Sequence, residues 1–230
     1  MTEARIPPNE PRGPLSRERI LRAAMSVADE GGLTSLTMRK IANQLGVEAM
    51  SLYHHVRSKD EVQGGLIDLV FSEIELPVIG SDWKPAMRRR ANSARSVLSR
   101  HGWAIGILDS RVNPGPATLR HHNAVIGTLR EAGFSIGMAA HAYSILDSYI
   151  YGFVLQELSM PFGSKEELEE VADAMLQHFP VEQYPYLAEM FGYALAPGYS
   201  YGSEFAFGLE LILDDIEGLR SLGVVPEGKG

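Results

Sequence analysis

The sequence predicts an all-α protein, and three observations carry that reading. Apolar residues recur every three or four positions along most of the chain. Gly, Pro and capping boxes punctuate these runs at helix-length intervals. No segment alternates apolar with polar residues or carries a hairpin signal.

Taken in order, residues 1–15 hold Pro7, Pro8, Pro11 and Pro14 without periodicity and read as a flexible arm. From Ser16 the spacing of Ile20, Leu21, Ala24, Val27 and Ala28 is helical, and Gly31-Gly32 ends that helix. Thr37 is a good N-cap for a short helix over 38–45 with Gly46 as its stop. A second short helix is expected over 49–56. Ser58-Lys59-Asp60-Glu61 forms a capping box for a longer helix that runs towards Glu75, before Pro77. Further helices are expected over 82–100, 104–110, 116–132, 135–159 and 203–219, with another opened by Ser164-Lys165-Glu166-Glu167. The stretch 184–201, rich in Pro, Gly and Tyr, reads as a loop, and 223–230 as a tail.

At 230 residues the chain has room for one or two domains, and 45% apolar residues suffice for a real core. With no cysteine, disulfide scaffolds, Cys-ligated zinc, iron–sulfur clusters and thiol nucleophiles are excluded. No run approaches 18 apolar residues, and the N-terminal stretch lacks the apolar core of a secretory signal. The expectation is a soluble cytoplasmic protein without membrane contact and without a cofactor. The net charge of −8 argues at first against nucleic acid, but it is unevenly spread. Residues 1–62 carry nine Lys/Arg against eight Asp/Glu, and residues 63–230 carry twelve against twenty-one. The acidity lies in the later part, so a DNA-binding head remains compatible with the composition.

Residues 38–56 are the informative stretch. Two short helices joined at Gly46 have the helix-turn-helix arrangement. Ile41, Ala42 and Leu45 supply the buried side of the first, and small Ala42 permits close approach of the second. Leu52 and Val56 anchor that second helix. Ala49, Met50, Ser51, Tyr53, His54 and His55 are left facing outward. These are small, aromatic and hydrogen-bonding groups suited to a major groove, where a plain surface helix would carry Lys, Glu and Gln.

Residues 16–76 resemble the DNA-binding head of the tetracycline-repressor (TetR) family of bacterial transcriptional regulators. The resemblance rests on the first helix ending at Gly31, on Leu36-Thr37-Met38-Arg39-Lys40-Ile41-Ala42 and Leu45-Gly46-Val47, and on Leu52-Tyr53-His54-His55-Val56 and Ser58-Lys59. Phe205-Ala206-Phe207-Gly208-Leu209-Glu210-Leu211-Ile212-Leu213 is also similar to part of the family's C-terminal domain. The resemblance implies a helix-turn-helix head over 16–62 with a connecting helix to about 76, and a ligand-binding and dimerisation domain over 77–222.

By position, it implies that Arg39 reaches a base edge, and that Ala49, Met50, Ser51 and His54 face the bases. Tyr53, His55 and Lys59 would hold phosphates and fix register. Met38 and Glu48 stand at contact positions without an obvious role. The residues themselves leave alternatives open: Tyr53 as core, His54-His55 as a solvated pair, and Arg39 paired with Glu48. In the arm, Arg5 and Arg12 suit either a minor-groove contact or a plain tail.

In the acidic part, the helices over 135–159 and 203–219 are apolar on more than one side, which suggests a four-helix bundle between two copies of the chain. The expected interface residues are Ile145, Tyr149, Phe153, Phe205, Leu209, Ile212 and Ile216. The resemblance implies a homodimer independently, and a small-molecule site in each C-terminal domain. Candidate lining residues are His101, Trp103, Leu108, Leu119, His122, Ile126, Tyr143, Asp147 and Tyr151, which also suit a plain core. Asp147, inside an apolar helix, needs a partner, and Tyr143, Tyr151, His122 or a ligand can supply one. Antibiotic-sensing members of the family place a ligand-binding histidine in the helix after the head. Residues 56–100 contain none, so the resemblance does not extend to tetracycline as ligand.

The function expected is therefore a repressor that binds a palindromic double-stranded DNA operator as a homodimer and is released by a small-molecule inducer. The alternative is a helical ligand- or partner-binding protein whose head does not read DNA. Enzyme chemistry is not expected. Gly198-Tyr199-Ser200-Tyr201-Gly202 matches G-x-S-x-G, but no strand precedes it and no histidine follows it. His121-His122, adjacent on a helix, do not face one side as metal ligands must, and no metal site is expected.

Overall fold

Ser16 opens the first helix by accepting a hydrogen bond from Arg19 N at 3.3 Å. This helix, α1 (Arg17–Ser35), is broken at Gly31 and Gly32, the latter at φ 67°, as the glycine pair predicts. The computed structural model describes residues 13–108, 114–160, 179–196 and 198–222. Thr37 caps α2 (Met38–Leu45) by accepting from Lys40 N at 3.1 Å. Gly46, at φ 67°, ends it in the left-handed conformation that favours glycine. α3 (Ala49–Leu52) follows and is shorter than expected. After Leu52 the chain turns tightly, with Val56 N returning to Leu52 O at 3.0 Å. Ser58 caps α4 (Lys59–Glu73) through Glu61 N, while the Glu61 carboxylate reaches back to Arg57 N at 2.8 Å. That backbone bond holds the Glu61 carboxyl below the usual range.

α5 (Trp83–Arg100) leads into a 3-10 helix (Gly102–Ile107) where an α-helix over 104–110 was expected. α6 (Pro116–Glu131), α7 (Ile136–Leu158), α8 (Pro185–Ala194) and α9 (Tyr201–Leu222) complete the described residues, among which there is no strand. α8 corrects the reading of 184–201 as a loop. Pro185 sits in its first turn, where a missing N–H costs nothing, and none of its residues is buried. α9 starts before Ser203: Ser200 Oγ accepts from Ser203 N at 3.3 Å, so the serine of the G-x-S-x-G match lies at a helix start. The arm to residue 12, the capping box at Ser164 and the tail from 223 lie outside the described residues.

Two apolar cores form, and α4 serves both. Ile20, Leu21, Ala24, Ile41, Ala42, Leu52 and Val56 close on Val62 and Leu66. One turn on, Ile67, Val70, Phe71 and Ile74 enter the larger core of α5, α6, α7 and α9. Asp68 ties α4 to the start of α6, accepting from Thr118 N (2.9 Å) and Thr118 Oγ1 (3.1 Å).

The larger core corrects part of the expected dimer surface. Phe153, Phe205, Leu209 and Ile216 are buried within the single chain. The Arg95 guanidinium lies 5.1 and 5.0 Å from the Phe153 and Phe205 ring centres. It is also ion-paired with Glu157. Tyr149, half-buried, donates to Phe205 O at 3.0 Å, and a side chain on Gly208 would collide with its hydroxyl. These groups join α5, α7 and α9 inside one subunit. The apolar surface these helices leave outside comprises Ile145 (46% exposed), Leu155 (56%), Phe207 (66%) and Leu211 (53%).

Candidate nucleic-acid interface and buried polar site

The head presents α3 by holding it at its far side. Leu52 and Val56 are buried, while Met50 is 73% and Tyr53 45% exposed. That exposure removes the reading of Tyr53 as core. Glu48, His54 and His55 are also exposed, and Ala49 and Ser51 half-buried. Arg39 and Lys59 are exposed at the starts of α2 and α4, and Met38 is half-buried. Among the described residues neither Arg39 nor Lys59 makes an ion pair, so Arg39 is not tied to Glu48. The four-residue helix thus stands exposed between two cations, Arg39 and Lys59, at the starts of the flanking helices.

The body places the candidate ligand residues in three different settings. His101 and Trp103 lie where it meets the head. His101 Nδ1 and Trp103 Nε1 both stand 2.7 Å from Asp29 Oδ1 of α1. His101 Nε2 faces Glu73 at 3.4 Å, and Arg100 pairs with the same carboxylate at 2.7 Å. These two residues therefore link α1, α4 and the 3-10 helix. Leu108 is buried in the larger core, and Leu119 is exposed on α6. His122, Ile126, Tyr143 and Tyr151 are half-buried, and Asp147 is buried.

Asp147 has a partner that the sequence did not reveal. Arg90 of α5 is 1% exposed, and its Nη2 lies 2.5 Å from Asp147 Oδ1. Tyr151 donates to Asp147 Oδ2 at 3.2 Å. His121, fully buried, completes the group, with its Nε2 3.2 Å from Arg90 Nε and 3.0 Å from Arg90 Nη2. The signal was present in Arg88-Arg89-Arg90. Successive helical residues point about 100° apart, so a run of three cannot all reach solvent from one packed helix. Arg88 instead pairs with Glu210 on α9, and Arg89 with Glu75.

Burial pushes the His121 imidazole down to about 3, and the nearby Arg90 cation and His122 add to the effect. In the unfolded chain the ring protonates near 6.5. Between these two values the unfolded state holds an extra proton, so stability falls as pH drops from about 6.5 towards 3. Going from pH 7.5 to pH 5, His121 is expected to remove about 2 kcal/mol of stability. Urea unfolding of His121→Gln at both pH values checks this, and the variant should lose less than the native chain.

The comparisons with known proteins agree with this architecture. The model of the tetracyclin repressor-like C-terminal domain matches residues 76–220, and that of bacterial regulatory proteins of the tetR family matches residues 20–62. The chain is 28% identical over 222 residues to the HTH-type transcriptional repressor DrrR1 of Streptomyces coeruleorubidus, covering 93% of this chain and 81% of that one. It is 31% identical over 141 residues to the tetracycline repressor protein class A of Escherichia coli, covering 60% of this chain and 65% of that one. Among solved structures, ActR of Streptomyces coelicolor in complex with actinorhodin superposes with a TM-score of 0.73 at 26% identity, covering 89% of this chain and 96% of that one. Head, body and family matches agree, and the chain belongs to the tetR family of helix-turn-helix transcriptional regulators, a family of regulators and not of enzymes.

Proposed function

We propose that the chain is a ligand-responsive repressor that binds a palindromic operator as a homodimer and is released by a small molecule held in the body. The observation that carries the reading is the outward surface of α3, where Met50, Tyr53, His54 and His55 are exposed beside unpaired Arg39 and Lys59. Dimerisation is supported by the adjoining faces of α7 and α9, where Ile145, Leu155, Phe207 and Leu211 remain outside the subunit core. A two-fold pairing there sets two copies of α3 roughly 34–36 Å apart, one turn of duplex, on a two-fold-symmetric site. Ligand control is supported by the buried polar group of Arg90, His121 and Asp147, and by the likeness to a regulator solved with actinorhodin. A ligand that favours the head spacing unsuited to DNA lowers operator affinity by the coupling between the sites, about 1–3 kcal/mol in typical cases.

Fluorescence anisotropy on the DNA flanking the gene, with scrambled competitor and a salt titration, tests this reading. Saturable binding of two chains at one palindrome is expected. Weak, sequence-independent binding at every site would favour a helical ligand-binding protein whose head does not read DNA. Within that assay Arg39→Ala is expected to cost about 1–3 kcal/mol and to relax preference at one position of each half-site. A uniform loss over all sequences would contradict base contact. Lys59→Ala is expected to weaken all sequences alike and to reduce the salt slope by about one. A sequence-selective loss would remove its phosphate role.

A further inference from the structure

We propose that His101 is a proton-operated positioning residue: as an imidazolium it holds Asp29 of α1 and Glu73 of α4 together, and as a neutral ring it releases Glu73. The backbone fixes where the ring stands. His101 N closes α5 by donating to Val97 O at 3.1 Å, and His101 O accepts from Ala104 N of the 3-10 helix at 2.8 Å. The side chain is buried, and each ring nitrogen faces a carboxylate. Nδ1 stands 2.7 Å from Asp29 Oδ1, and Nε2 stands 3.4 Å from both Glu73 oxygens. Ionised carboxylates only accept, whereas a neutral imidazole has a single N–H to give. Asp29 is the nearer acceptor and also takes the Trp103 indole N–H at 2.7 Å. The one proton of a neutral ring therefore sits on Nδ1, and the bare lone pair of Nε2 is left facing Glu73. Only the doubly protonated ring donates to both helices.

Charge balance points the same way. Asp29 and Glu73 bring two negative charges, and Arg100 of α5, paired with Glu73 at 2.7 Å, brings one positive. An imidazolium makes the group neutral. Glu73 also ends α4, where the free carbonyls of a helix favour a cation. From α7, Leu158 lies against Gly102, and the Glu157 carboxylate is engaged by Arg95 and Ser99. The contact with Glu73 is therefore present in acid and lost as pH rises through the range in which imidazoles titrate, about 5 to 8. At its other end α4 carries the Ser58 cap, next in the chain to α3. The proton on His101 thus governs how firmly the head is set on the body. A loosened head must be ordered when two of them seat on one operator, and that ordering weakens binding.

Double-mutant cycles on the full chain test the proposal, read by urea unfolding in far-ultraviolet circular dichroism at about pH 5.5 and about pH 8.5, either side of that range. The cycle of His101→Gln with Glu73→Gln is expected to show a coupling of about three- to fivefold in the unfolding equilibrium constant in acid, and none in base. The cycle of His101→Gln with Asp29→Asn is expected to show coupling at both, because Nδ1 keeps its proton. His121 is present in every member of each cycle, so its own titration cancels. Equal coupling of His101 with Glu73 at the two pH values, or none in acid, overturns the proposal. A purely structural histidine gives the first of these results. In anisotropy, the native chain is expected to lose about three- to fivefold more operator affinity than His101→Gln between the two pH values. This second measurement alone rests on the operator-binding reading above. Absence of operator binding at both pH values removes that reading and leaves the urea cycles to decide. Tight binding with the same pH profile in both proteins overturns the effect on the head.

Discussion

Replacing Arg90 with Met is expected to destabilise the body by about 3–5 kcal/mol, because it leaves the Asp147 carboxylate buried without its cation. For a chain of this size that corresponds to a melting point lower by about 6–20 °C. The informative comparison is the double variant Arg90→Met/Asp147→Leu. Removing both charges abolishes the orphan carboxylate, so most of the loss should return even though no ion pair remains. If the double variant melts as low as the single, the cost comes from lost packing of the arginine stem and not from an uncompensated charge. Calorimetric melting of the three proteins at pH 7.5 decides between these.

Leu52→Ala acts on the other core. Leu52 is fully buried and is the one buried residue of a helix only four residues long, so its loss is expected to cost about 2–5 kcal/mol. The damage should be confined to the head. Operator affinity is expected to fall steeply at 37 °C while ligand binding by the body persists, since the residues around Leu52 belong to a cluster separate from that of α5, α6, α7 and α9. Urea unfolding followed by the fluorescence of Trp83, in a Trp103→Phe background because Trp103 packs against both cores, should change little. Far-ultraviolet circular dichroism should show an earlier transition. A single shifted transition seen by both probes would mean that the two cores unfold as one.

The head was legible in the sequence because its signals are local. Thr37, Gly46 and Ser58 each act within three or four residues of themselves, so spacing alone placed α2, the turn and the start of α4. The body was less legible because its decisive contacts are remote. Arg90 meets Asp147 across 57 positions, and periodicity carries no information about which inward-facing groups meet. The same limit put four residues of the subunit core, Phe153, Phe205, Leu209 and Ile216, among the expected interface residues. Phe205 and Phe207 are equally apolar and two positions apart, yet one is the centre of the subunit core and the other stands 66% exposed. Apolar spacing marks both sides of such a helix and cannot say which is covered by its own chain. For α8 a local signal existed and was outweighed by composition, since a proline in the first turn starts helices as readily as it ends them.

The sharing of α4 between the two cores has a mechanical consequence. Its 15 residues span about 22 Å, with Phe71 against His121 near one end and the Ser58 cap beside α3 at the other. A rigid rod anchored in this way is a lever. A tilt of about 5° at the Phe71 end carries the opposite end by about 2 Å, comparable to the small shifts that decide whether a helix seats in a groove. A second attachment between the two parts is made where His101 and Trp103 meet Asp29 of α1. A shift of α4 at its Phe71 end is expected to appear enlarged at the end beside α3.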